Sequence, residues 1–260
     1  MKQFSLIAAM LMLSTAAIAQ LPAGDSNAPV EISAKHSLEW NRKAKTYTAR
    51  ENALAKQGAF QISSDLLTAH YTDDKNAGDI NTLNADGHVI IQSPPYAAYG
   101  DNAVYNVVDS SAQLTGGDLR IETPTERLTA KHKIEFFGLE NKMTAIGDAV
   151  AVRGTDTMRA NMMTAYFYKA PTGKLALQKI TAEGSVSIKT LKETLTGSRG
   201  IYDVVAGKAV LTGKIRVLQG DNWLEGTRAV VDLKTGVSQL FAEGGDGRVK
   251  GLFYPKKKTP

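Results

Sequence analysis

An all-β fold follows from three observations on the sequence. Helical periodicity is nearly absent, while short alternating segments rich in Val, Ile, Thr and Tyr recur along the chain. Small residues return at a fixed offset, so the chain repeats a structural unit. Turn chemistry separates the units, as in Asp203-Val204-Val205-Ala206-Gly207-Lys208 and Asp232-Leu233-Lys234-Thr235-Gly236.

Residues 1–19 read as a cleaved secretory signal peptide. Lys2 supplies the positive start, Phe4 to Leu13 the apolar run, and Ala17-Ile18-Ala19 the small-x-small cleavage site. The run falls short of the roughly 20 residues that a membrane-spanning helix needs. Residues 20–29 are expected to be a linker, residues 30–250 the repeat domain and residues 251–260 a basic tail carrying Lys256-Lys257-Lys258. The expected location is the periplasm, since an exported chain without cysteine is unlike a disulfide-dense secreted module.

Two kinds of anchor define the repeat. Ala34, Ser64, Gly100, Ala130, Ala160, Gly197 and Gly226 form the first, at steps of 30, 36, 30, 30, 37 and 29 residues. The second is Gly87, Gly117, Gly147, Gly184 and Gly213, with Glu51 in the first slot, Gly244 at the end, and Gly116 as an alternative to Gly117. Each of the five central glycines lies 13 residues before an anchor of the first kind. Seven units and fourteen strands follow, with longer loops around Asp73 to Asp79 and Ala170 to Gln178.

Within a unit, Leu83-x-Ala85-x-Gly87-x-Val89-x-Ile91 and Ile180-x-Ala182-x-Gly184-x-Val186-x-Ile188 alternate and are expected to share one strand face. A mid-strand glycine marks either a bend at a sheet corner or a close approach of another chain. Apolar residues recur two before the first anchor and four after it (Leu38, Val104, Ile134, Ile201, Val230), with Thr68 and Thr164 as departures. Ala49 to Ala55 has helix propensity, which the repeat overrides.

Composition narrows the function. With no cysteine there is no thiol nucleophile, disulfide framework or Cys-ligated metal. A net charge of +5, from 31 Lys plus Arg against 26 Asp plus Glu, is too modest for a dedicated nucleic-acid surface. No nucleotide-binding or nucleophile-elbow motif occurs. His36, His70, His88 and His132 are expected at the surface or rim, and no metal, cofactor or catalytic constellation is assigned. Trp40 and Trp223, near the two ends of the array, are expected to pack or cap.

The segments ITAEGSVSI (180–188), LTGSRGIYD (195–203), AVLTGKIRV (209–217) and LEGTRAVVD (224–232), following a signal, resemble the OstA-like family of periplasmic lipopolysaccharide-transport proteins. The resemblance covers almost all of the repeat region and implies an elongated antiparallel β-jellyroll of stacked hairpin repeats. It also implies a non-enzymatic bridge that carries lipopolysaccharide from inner to outer membrane, with acyl chains inside. Membrane-anchored LptC-like and outer-membrane LptD-like partners would join by edge-strand pairing, and a head-to-tail homo-oligomer would form the same way. Glu51 at a glycine position departs from the pattern, and 241 residues from Gln20 to Pro260 exceed the family's compact form, leaving room for a fused member.

The residues expected to line an acyl-chain groove are Ile32, Ile62, Leu83, Val89, Ile91, Leu119, Ile121, Leu128, Ile134, Val186, Ile188, Leu195, Ile201, Ile215 and Val217. Small anchors would leave space between them, and alkyl burial would contribute about 0.8 kcal/mol per CH₂. On the residues alone, a dry sandwich core is an equal alternative to a groove. A β-helix acting on polysaccharide and a lipid-free structural adaptor are the competing functions.

Overall fold

The structure, a computed structural model, describes residues 28–72, 79–171, 175–243 and 247–254. The expected signal peptide, most of the linker, the tail lysines and Gly244 lie outside the described residues.

Every described element is a strand. In chain order they are β1 (Glu31–Ser33), β2 (Ser37–Asn41), β3 (Thr46–Gln57), β4 (Phe60–Thr72), β5 (Asp79–Ser93), β6 (Tyr96–Asn106), β7 (Ser111–Thr115), β8 (Leu119–Glu122) and β9 (Glu126–Ala130). There follow β10 (Lys133–Phe137), β11 (Lys142–Arg153), β12 (Asp156–Lys169), β13 (Leu175–Lys189), β14 (Thr194–Asp203), β15 (Lys208–Gln219), β16 (Asn222–Asp232), β17 (Val237–Phe241) and β18 (Lys250–Leu252). Four pairs are halves of interrupted strands: β1 and β2 both pair with β3, β7 and β8 with β6, β9 and β10 with β11, and β17 and β18 with β16. Joined, they give the expected fourteen strands in an antiparallel meander, each inner strand paired to the one before and the one after it.

The meander is folded along a line of corners into two facing layers, an antiparallel β-jellyroll. Pairing skips at the corner of each long strand, for example between Asp86 and Val89 of β5 and between Glu183 and Val186 of β13. Here the backbone enters the left-handed region at Gly87 (φ +77°), Gly147 (+90°), Gly184 (+75°) and Gly213 (+104°). The mid-strand glycines are therefore bends, and their conformation requires the missing Cβ. In β3 the same corner is built from Glu51 (+61°) and Asn52 (+48°), so Ala49 to Ala55 runs as strand despite its helix propensity. Between β7 and β8 it is Gly116, at +136°, that takes the corner rather than Gly117.

The corners also set which side chains face inward. Strands that carry the glycine corner place buried residues four apart across it, such as Ala49 and Ala53, Ala85 and Val89, Ala182 and Val186. The partner strands place them three apart, as in Ser64 and Leu67, Ala160 and Met163. One strand of each pair thus holds an extra residue, which is the two-against-one count of a bulge. The expected lining position of Ile201 is therefore corrected: it points outward (41% exposed), as do the corresponding Leu38 (53%) and Val104 (45%), while Ala103 and Gly200 take the inner place. Ile134 stays inside because its strand is interrupted at Lys131 and His132, which restores the parity. Thr68 is half-buried, whereas Thr164 is buried and its hydroxyl meets that of Thr144 at 3.3 Å.

Turns form where the sequence places them. Asp232 Oδ1 accepts from the backbone N–H of Lys234 and Thr235, and Asp203 Oδ1 from that of Ala206. His88 meets Asp65 at 2.7 Å on the corner line, and His70 bonds Asn84. Trp40 donates to the Tyr71 hydroxyl at 2.8 Å and stacks on Tyr47 near the first edge.

Candidate functional site

Between the two layers lies one contiguous apolar core. Ile62, Leu83, Val89, Ile91, Leu119, Ile121, Ile134, Val186, Ile188, Leu195, Ile215 and Val217 are all buried in it, with Ile32 and Leu128 packed against it half-buried. Ile201 alone of the expected lining residues is not brought inside.

The small anchors do not hold space open, which corrects the expectation drawn from them. A Cβ at Gly100 would lie 2.8 Å from Leu114 Cγ, at Gly197 2.8 Å from Leu211 Cγ, and at Gly226 2.8 Å from Leu240 Cγ. Each glycine is small because a leucine of the next strand already fills its place. Near the corner line the interior is a dry packed core.

The layers separate at their open rims, where the turns lie. An apolar cleft of about 80 Å³ enters there between Tyr96, Ile121, Leu128, Ala151 and Met158 of one layer and Met143, Met163, Ala165 and Ile180 of the other. Of the expected lining residues, only Ile121 and Leu128 reach it. Three methionines in its wall give it unbranched, adaptable surfaces. Much smaller gaps, near 20 and 10 Å³, lie beside Trp223 and Phe253 at one end and Phe60 and Tyr105 at the other.

Glu126 and Arg153 stand at the mouth of the cleft. Glu126 opens β9 behind the Thr123 turn, where the Thr123 hydroxyl accepts its N–H at 3.0 Å; Arg153 closes β11, paired to Glu126 across the ladder. The Glu126 side chain is 9% exposed and Arg153 Nε is 3.7 Å from its Oε1, close enough for attraction and too far for a hydrogen bond. Both Glu126 carboxylate oxygens and Arg153 Nη1 are buried with no hydrogen-bond partner among the described residues. Burial pushes the Glu126 carboxyl above its ordinary range, and the Arg153 charge opposes that shift.

Neither residue stood out in the sequence, yet a signal is present. Aligned on the first anchor, the Glu126 slot holds Phe60 and Tyr96 in the preceding units, and the Arg153 slot holds Gln57 and Ser93. The following units hold Asp156 and Glu193 in the Glu126 slot, so the carboxylate is not unusual there; the signal is Arg153, a cation in a slot that holds uncharged polar residues in the other units, Thr123 and Thr190 among them.

A family model described as LptA/(LptD N-terminal domain) LPS transport protein matches residues 31–138 and again 135–237. The chain belongs to this LPS transport family. The two matches overlap at the end of β10, inside the unbroken meander, so the family's unit is matched twice in one folded body. An uncharacterized protein of Rhizobium meliloti (strain 1021) is 31% identical over 155 residues, covering 57% of this chain and 81% of the relative. The crystal structure of LptH, the LptA-homologous periplasmic component of the conserved lipopolysaccharide transport device of Pseudomonas aeruginosa, aligns with 89% of this chain and 99% of its own. The identity there is 13% and the TM-score 0.23.

Proposed function

We propose that the protein is a non-enzymatic periplasmic carrier that moves lipopolysaccharide between the membranes, sheltering acyl chains between its layers while sugars and phosphates stay in water. The observation that carries this reading is the apolar, methionine-walled cleft opening between the layers of an LPS transport family fold. An alkyl chain entering there gains about 0.8 kcal/mol for each methylene it buries.

The ends of the meander support the bridging role. Among the described residues, β1 and β2 on one side pair only with β3, and β17 and β18 on the other pair only with β16. Among the described residues each end therefore presents a strand edge suited to strand addition by a membrane-anchored LptC-like partner, an outer-membrane LptD-like partner or a second copy of the chain.

Photo-crosslinking tests the reading. Crosslinkers at Ile121, Leu128 and Met163 are expected to capture lipopolysaccharide in cells, and one at Ile201 on the outer face is expected not to. Capture from Ile201 alone would overturn it.

A further inference from the structure

The cleft contains a polar requirement that an alkyl chain does not meet. Glu126 has two buried carboxylate oxygens seeking a donor, and Arg153 Nη1 is a buried donor seeking an acceptor. Leaving such groups unpaired is among the costlier things a fold can do. Apolar residues of similar size at both positions would commonly be neutral or better for stability.

Their placement says where the missing group belongs. Glu126 lines the apolar cleft and also a polar shelf of about 250 Å³ outside it, shared with Glu122, Thr125 and Arg127. The shelf is already paired: Arg127 reaches Glu122 at 2.8 Å and Arg120 reaches it at 3.2 Å. The unmet demand is thus at the boundary, where a polar head on the shelf would pass into a chain inside the cleft.

One neutral atom that both donates and accepts answers it. An amide divides those functions between two atoms, whereas a hydroxyl oxygen combines them, and with Arg153 Nε 3.7 Å from Glu126 Oε1 the two groups make no hydrogen bond of their own there. An ammonium or carboxylate head would satisfy one partner and repel the other.

We propose that the cleft between β9, β11 and β12 is selective for alkyl chains bearing a hydroxyl within the first few carbons of the polar head, the hydroxyl donating to Glu126 and accepting from Arg153. This rests on the acyl-carrier reading and narrows its ligand. The cleft's 80 Å³ is smaller than the roughly 150 Å³ apolar cavity that admits benzene. Met143, Met158 and Met163 must therefore turn to admit more than the first part of the chain.

The test uses the full chain and three neutral monoacylglycerols, carrying a tetradecanoyl chain, its 3-hydroxy derivative and its 12-hydroxy isomer, with binding followed by calorimetry. The 3-hydroxy lipid is expected to bind about ten- to a hundredfold more tightly than the other two, the range set by hydrogen bonds to charged groups. The double variant Glu126→Leu, Arg153→Met is expected to bind all three alike and, by circular dichroism, to melt no lower than the parent. Equal binding of the three lipids by the parent would overturn the hydroxyl selectivity and leave the acyl-carrier reading standing, a bridging water then meeting both groups. No binding of any of them would overturn both.

Discussion

Asp148 accepts two hydrogen bonds from the guanidinium of Arg159 on the neighbouring strand, the one to Nη2 at 2.6 Å, while Lys131 reaches the same carboxylate at 2.8 Å. Asp148 follows Gly147 in the left-handed corner of β11, with φ of +47°, so three strands are tied together on the corner line. These hydrogen bonds hold the Asp148 carboxyl at a pKa of about 2, and the folded state binds its proton less readily than the unfolded chain does. The stability it contributes is present above the ordinary carboxylate range and is lost as pH falls through about 2. Carboxyl-carbon NMR is expected to place its midpoint there, and Arg159→Gln to move it upward; an unmoved midpoint would remove Arg159 as the cause.

Glu51 is a corner residue with a side chain where the units that follow have glycine. At φ +61° an L-residue is strained by roughly 1–2 kcal/mol, part of which glycine returns through its freer unfolded state. Glu51→Gly is expected to raise stability by up to about 1 kcal/mol, or roughly 2–4 °C in Tm for a chain of this size. Gly147→Ala should do the reverse and cost more, because its Cβ would lie 2.5 Å from His132 Cγ. Thermal unfolding of the two variants measures both, and a Glu51→Gly protein that melts lower would show the corner is not strained.

Gly197→Ala distinguishes a filled interior from an open groove. With Leu211 Cγ 2.8 Å from the new methyl group, the substitution should destabilise by about 1–3 kcal/mol in urea unfolding. No change would mean that space lies free beside Gly197.

End-to-end pairing predicts association that rises with concentration. Ile32→Pro at the first edge and deletion after Leu240, which removes β18, should each weaken it in sedimentation velocity. A strict monomer at high concentration that also fails to bind an isolated membrane-anchored partner domain would contradict the bridge.

The strand count was legible because Gly87, Gly147, Gly184 and Gly213 are chemical necessities: only glycine accepts those angles at low cost, so they persist as punctuation. The alternation of apolar residues between corners was legible for a similar reason, since one face is buried. What escaped was parity beyond the corner. Val104 and Ile201 are apolar and correctly spaced for a straight strand, but a bulge in the partner strand turns them outward, and no feature of their own identity reports it. The cleft was hidden differently. Glu126 and Arg153 lie 27 residues apart in sequence, and only the ladder between β9 and β11 brings them face to face.

The meander crosses from one family match to the next without a break, Lys133 to Phe137 pairing with Ser111 to Thr115 as any neighbouring strands do. Two separate chains joining edge to edge must first meet, and their register is decided at each encounter. Here the joint is made during synthesis: it needs no encounter, does not dissolve on dilution, and admits one order and one register. At about 4.8 Å per strand, the fourteen strands reach roughly 60 Å. The distance that any pair of end partners is held apart is thus written into the gene as a number of strands.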